Sequence, residues 1–199
     1  MVALRYLALR RNLSPLVTRH THLVIDGLQR TANGYATYSF VAGQTSRLNV
    51  AHHLHSGEQV VRAAKRHTPV LLLIREPAEC ALAIVGAWPY VTVGQALRAY
   101  TRYYSRVAGV ADECVLGFFD EVTSDVGSVI SRINERYGTT FEVRHHDEDS
   151  ARTLYNPLSP VVASRKARAQ AAAPQFETLE NRVLLGAAQE LWAAFQQYR

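Results

Sequence analysis

Two arginines carry the clearest chemistry in this chain. Arg30 follows His22-Leu23-Val24-Ile25-Asp26-Gly27-Leu28-Gln29, and Arg75 follows Pro69-Val70-Leu71-Leu72-Leu73-Ile74. Each stands at the end of an apolar run of the kind buried in parallel sheets, and each leads into a helix. A guanidinium held there is a planar, permanently charged fork for phosphate or sulfate. Two of them on two strand ends suit a nucleotide with two separate anionic groups.

The segment from Gly27 to Gly34 has the parts of an anion-binding turn. The two glycines permit tight backbone, Thr31 offers a hydroxyl, Asn33 an amide, and residues 31–34 bring backbone N–H groups to a helix start. It departs from a Walker-type loop, because Asn33 stands where the lysine belongs and Gly34 where Ser or Thr belongs. That argues against ATP or GTP hydrolysis and against a kinase-like phosphotransferase. The plainer alternatives are an ordinary strand–helix turn with a solvated Arg30, and a salt bridge from Arg75 to Glu76 or Glu79.

Histidines cluster in Ala51-His52-His53-Leu54-His55. Strand alternation places His53 and His55 on one face and His52 on the other. A histidine at a strand's carboxyl end suits a general base. A metal site is the alternative, against which stand the lack of Cys ligands and of a carboxylate nearby in sequence. The basic run Ser164-Arg165-Lys166-Ala167-Arg168 either closes over an anionic ligand or is solvated surface.

The elements that position these residues alternate strand and helix. Strands are predicted at 22–26, 48–54, 69–74 and 113–119. Helices are predicted from Gly34 to about Gly43, from Ser56 to His67, from Pro77 to Val85, from Thr92 to about Val107, from Thr123-Ser124-Asp125 to Tyr137-Gly138, and from about Phe176 to Gln196. In the last, Leu179, Val183, Leu184, Ala187 and Leu191 are expected to face the core. Residues 144–175 read as a long, polar, mobile loop. Residues 1–20 read as a basic amphipathic helix packed on the domain, with a membrane-surface helix as the alternative. This is an α/β pattern: a central parallel sheet with helices on both faces, binding ligands at the strands' carboxyl ends.

The 199 residues, 48% hydrophobic and 20% charged, fit one globular domain. The 22 Lys+Arg against 17 Asp+Glu give +5. That favours an anionic ligand, and no nucleic-acid-binding signature accompanies it. Cys80, in a predicted helix, and Cys114, in a predicted strand, read as free thiols of a reducing compartment, hence a cytoplasmic location. No apolar stretch is long enough for a bilayer, and Met1 to His20 lacks a secretory-signal core. Oligomeric state is left open.

Taken together, four segments resemble the sulfotransferases that use 3′-phosphoadenosine 5′-phosphosulfate (PAPS). They are Gln-Arg-Thr-Ala-Asn at 29–33, His-His-Leu-His at 52–55, Leu-Ile-Arg-Glu-Pro at 73–77, and the stretch from Phe119-Asp120-Glu121-Val122-Thr123-Ser124-Asp125 through Ile133 to Phe141. The resemblance spans roughly residues 20–142 and implies a three-layer, P-loop-like fold and no metal. It implies that Arg30 contacts the sulfuryl group and 5′-phosphate, with Thr31, Ala32, Asn33 and Gly34 holding the 5′-phosphate. Arg75 grips the 3′-phosphate, Arg165 and Lys166 stand in for a late basic loop, and His53 or His55 is the base. The product is adenosine 3′,5′-bisphosphate (PAP), and the acceptor is a small molecule or glycan with a hydroxyl or amine. Two departures stand out: Gly34 replaces a usual Ser or Thr, and Ala83 a usual Ser. They motivate an alternative, a catalytically silent relative that binds the bisphosphate or serves as an interaction partner.

Overall fold

The computed structural model describes residues 16–144 and 159–199. Four parallel strands form the sheet: β1 (Leu23–Gly27), β2 (Val50–His52), β3 (Val70–Ile74) and β4 (Val115–Phe118), in the order β2-β1-β3-β4. β1 and β3 pair with Gly27 opposite Leu73. The central runs Leu23-Val24-Ile25 and Val70 to Ile74 are fully buried, because helices cover both faces.

On one face, Leu23, Ile25, Leu71 and Leu73 pack with α1 (Asn33–Gly43) and α6 (Val126–Tyr137). On the other, Val24, Leu72, Ile74 and Phe118 pack with α2 (Gly57–Ala64), α3 (Pro77–Ala87) and α4 (Val93–Ala108). The chain leaves β1 toward β2 across the first face and leaves β3 toward β4 across the second. The direction of winding therefore reverses between β1 and β3, and a crevice opens at their carboxyl ends.

Several helix ends follow the sequence directly. Thr92 and Gln95 form a reciprocal capping box at the start of α4. Asp125 caps α6 by accepting from the Gly127 N–H at 3.0 Å, and Gly138 ends it in the left-handed region at φ 64°. Thr123 and Ser124 belong instead to a short helix before it, α5 (Phe119–Ser124). Cys114 lies one residue before β4, and both cysteines are free and buried.

Two expectations are corrected, and a third lies mostly outside the described residues. The segment expected to be loop carries α7 (Pro160–Ala172) over its latter part. Ser159 caps it, accepting from the Val162 N–H at 3.3 Å, and Pro160 fits its first turn. Residues 145–158 of that segment lie outside the described residues. In α8 (Leu179–Gln196), Leu179 and Val183 are 80% and 65% exposed. Ala187 is exposed as well, whereas Leu184 and Leu191 pack as expected, joined by Ala188, Trp192 and Phe195, whose bulk sets the buried face. Of the N-terminal helix, residues 1–15 lie outside the described residues. Residues 16–20 form a turn, in which the Val17 N–H donates to Gln59 Oε1 at 2.9 Å. No described helix is long and apolar enough to cross a membrane.

Candidate functional site

The loop after β1 begins at a position only glycine can fill. A Cβ on Gly27 would stand 2.4 Å from the Leu73 carbonyl oxygen and 2.6 Å from Thr31 Oγ1. That absence lets the chain turn tightly against β3. The turn is then closed from within. Thr31 Oγ1 donates to the Leu28 carbonyl at 2.8 Å, and Asn33 Nδ2 donates to the same carbonyl at 2.9 Å and to Thr31 Oγ1 at 3.1 Å. Thr31 and Asn33 are both buried, so their side chains brace the loop. What the loop presents is main chain.

Arg30 and Ala32 take positive φ values of 71° and 72°, while Thr31 between them does not. Alternating handedness in consecutive residues turns successive N–H groups into one concavity. Ala32 is also the N-cap of α1. It supplies no side-chain cap, and the first turn of α1 holds no acid. The leading N–H groups of α1 therefore meet no competing carboxylate of their own helix, which suits an external anion.

Arg75 closes the other side of the crevice. Its Nη1 donates to the Arg30 carbonyl at 3.4 Å. Its guanidinium lies 3.8 Å above the Phe119 ring centroid, and Nε pairs with Glu79 at 3.2 Å. The Tyr100 hydroxyl donates to the Arg75 carbonyl at 2.9 Å. Of the two salt bridges given as the plainer alternative for Arg75, the one to Glu79 forms. Beneath them Cys80 Sγ donates to the Gln29 carbonyl at 3.5 Å, and burial pushes its thiol up to about 12. It remains a protonated thiol.

Strand alternation does not sort the histidines, because β2 ends at His52 and both His53 and His55 have positive φ, 56° and 51°. His53 turns toward His52, with Nδ1 to Nδ1 at 2.6 Å, and its ring lies 6.4 Å from that of Tyr38. His55 turns the other way, onto the end of β1. Its Nδ1 lies 2.8 Å from the Gly27 carbonyl oxygen. A carbonyl only accepts, so Nδ1 carries a proton, and in the neutral ring Nε2 keeps its lone pair.

Beside it lies Asp26, a residue the sequence reading passed over. It is fully buried. It accepts from the Gly27 N–H at 2.9 Å, the His55 N–H at 3.1 Å and Gln59 Nε2 at 3.3 Å. Burial raises its carboxyl to about 6, against the opposing pull of His55. An acid inside the run Leu-Val-Ile-Asp-Gly, in a strand covered on both faces, was the available signal.

The crevice gathers the Arg30 main chain, residues 31–34, Arg75, His53 and His55: Arg75 Nη1 bonds the Arg30 carbonyl, His55 Nδ1 the Gly27 carbonyl, and His53 Nε2 stands 3.7 Å from where a Cβ on Gly34 would be. It does not gather the late basic run. Arg165 packs its carbonyl oxygen against Gly86, where a Cβ would come within 2.5 Å. Gly86 is nine residues past the start of α3, about 13 Å along it. Lys166 is exposed on α7. Arg168 donates from Nε and Nη2 to the Gly86 carbonyl at 2.9 and 2.7 Å, binding α7 to the carboxyl end of α3. Among the described residues, no group of three or more His, Cys, Asp or Glu could hold a metal ion.

No protein-family profile and no curated sequence matches the chain. Among solved structures, one that matches is the crystal structure of mouse sulfotransferase SULT7A1 complexed with PAP. The match covers 96% of this chain and 92% of that one, with a TM-score of 0.53 and 10% sequence identity. The chain thus has a sulfotransferase-like fold, with its parallel sheet between two helical layers.

Proposed function

We propose that this protein is a sulfotransferase that moves a sulfuryl group from PAPS to a hydroxyl or amine acceptor. The observation that carries the reading is the crevice between β1 and β3. An uncapped helix start with alternating handedness faces it, and Arg75 reaches across to Arg30. The fold likeness to a PAP-bound sulfotransferase supports it.

When bound, PAPS supplies an activated sulfuryl group on its 5′-phosphate. The main-chain N–H groups of Thr31, Ala32, Asn33 and Gly34 hold the 5′ anion at the mouth of α1. Arg30 adds a fixed positive charge where negative charge develops, a preorganised electrostatic contribution. Arg75, oriented by Phe119, meets the 3′-phosphate. His55 receives the acceptor's proton on Nε2, while its Nδ1–H stays bonded to the Gly27 carbonyl. Asp26 fixes the His55 main chain by accepting its N–H. We give the base role to His55; His53, whose Nδ1 faces His52 while its Nε2 stands 3.7 Å from where a Cβ on Gly34 would be, is the second candidate.

The test is sulfated product, detected by mass spectrometry with PAPS and a panel of phenols, alcohols and amines. The wild type forms product and His55→Ala does not. Product formed equally by both overturns the assignment. A second reading, a silent relative that binds PAP without turnover, is favoured by Ala83, Gly34 and the engagement of Arg75 with Glu79. Each missing charge-assisted bond is worth roughly 1.5–3 kcal/mol. Tight PAP binding with no sulfated product across the panel selects that reading.

A further inference from the structure

A cleft of about 710 Å³ opens beside the crevice, between the loop after β1, the start of α2 and one face of α4. Its volume lies in the range of small-molecule sites. His55 and Ser56 form one wall, and Arg102, Tyr103 and Arg106 the other. Positions 99, 102, 103 and 106 recur at helical spacing, so α4 presents them on one face.

Among the described residues, the charges in this cleft do not cancel. Arg106 is matched by Glu58, which it grips through Nε and Nη2 at 2.5 and 2.8 Å. Arg102 lines the same wall, is exposed, and makes no hydrogen bond or ion pair among the described residues. One uncompensated guanidinium therefore faces the space next to His55. Tyr103, only 5% exposed, adds a second unmet group: its hydroxyl is enclosed with no hydrogen-bond partner.

We propose that this cleft is the acceptor site, and that its acceptor is a carboxylate-bearing phenol or alcohol whose anionic group pairs with Arg102. The proposal rests on the sulfotransferase reading above. The acceptor hydroxyl faces His55 Nε2, and its carboxylate meets the wall of α4. Arg102 selects the acceptor by charge and takes no part in the transfer itself.

The full chain is first titrated with PAP in a calorimeter. The PAP complex is then titrated with 4-hydroxybenzoate and, separately, with its uncharged methyl ester. The acid is expected to bind about tenfold or more tightly than the ester. Arg102→Gln erases that preference and leaves PAP binding and the melting temperature unchanged, since an exposed residue without partners supports little of the fold. Equal affinity for acid and ester, no binding of the acid, or a preference that survives in Arg102→Gln overturns the charge-selective site alone. Absence of PAP binding overturns the sulfotransferase reading and this inference with it.

Discussion

At the scale of single residues the account turns on His55 and the acid beneath it. His55→Ala is expected to lower turnover by about 10²–10⁴-fold, the usual range for a lost general base, with PAP affinity retained. His53→Ala is expected to keep more activity than His55→Ala, because its Nδ1 is engaged with His52, although its Nε2 stands beside Gly34. Steady-state rates beside PAP titrations separate the two. Asp26 adds a pH signature. Its folded carboxyl titrates near 6, above its ordinary 3.8, so the folded state holds that proton more tightly than the unfolded chain. Stability from this group is therefore full below about pH 4 and lost as pH rises to about 6, by an amount on the order of 3 kcal/mol. Asp26→Asn keeps an acceptor for the Gly27 and His55 N–H groups. Its melting temperature is expected to stay flat across that window where the wild type declines, and thermal melts from pH 4 to 7 decide.

At the scale of elements, the loop that opens α1 is held in a conformation alanine disfavours. A left-handed alanine costs about 1–2 kcal/mol, partly offset by the extra freedom glycine has when unfolded. Ala32→Gly is expected to raise the melting temperature by about 2–3 °C and to leave PAP affinity intact, read by calorimetry. Arg168→Ala removes the bonds that tie α7 to the end of α3. It is expected to lower stability by about 1–2 kcal/mol without weakening PAP binding, as denaturant unfolding beside a PAP titration would register. The strands were legible because Leu-Val-Ile and Val-Leu-Leu-Leu-Ile have no polar face to expose. The helix starts at Thr92 and within 123–125 were legible because capping bonds are local. The positive φ of His53 and His55 was not, since a tertiary contact at Gly27 turns His55 and no local pattern records it. The start of α7 was written in Ser159-Pro160 and was masked by the polar residues before it. The face of α8 was misplaced because apolar spacing fits more than one ridge, and the bulk of Trp192 and Phe195 chose among them. Asp26 was hidden by its place inside an apolar strand.

At the scale of the whole molecule, the strand order β2-β1-β3-β4 does the positioning. It makes β1 and β3 neighbours, so two segments more than forty residues apart end side by side, and Arg75 meets Arg30. The net charge of +5 favours an anionic ligand approaching that edge. The most direct measurement is calorimetric titration of PAP into the wild type and into Arg75→Ala, with circular dichroism to establish that both are folded. Saturable one-to-one binding to the wild type, weakened about tenfold or more in Arg75→Ala, is the predicted result. No binding to a folded wild type, or equal binding to both, contradicts a nucleotide held in the crevice between β1 and β3.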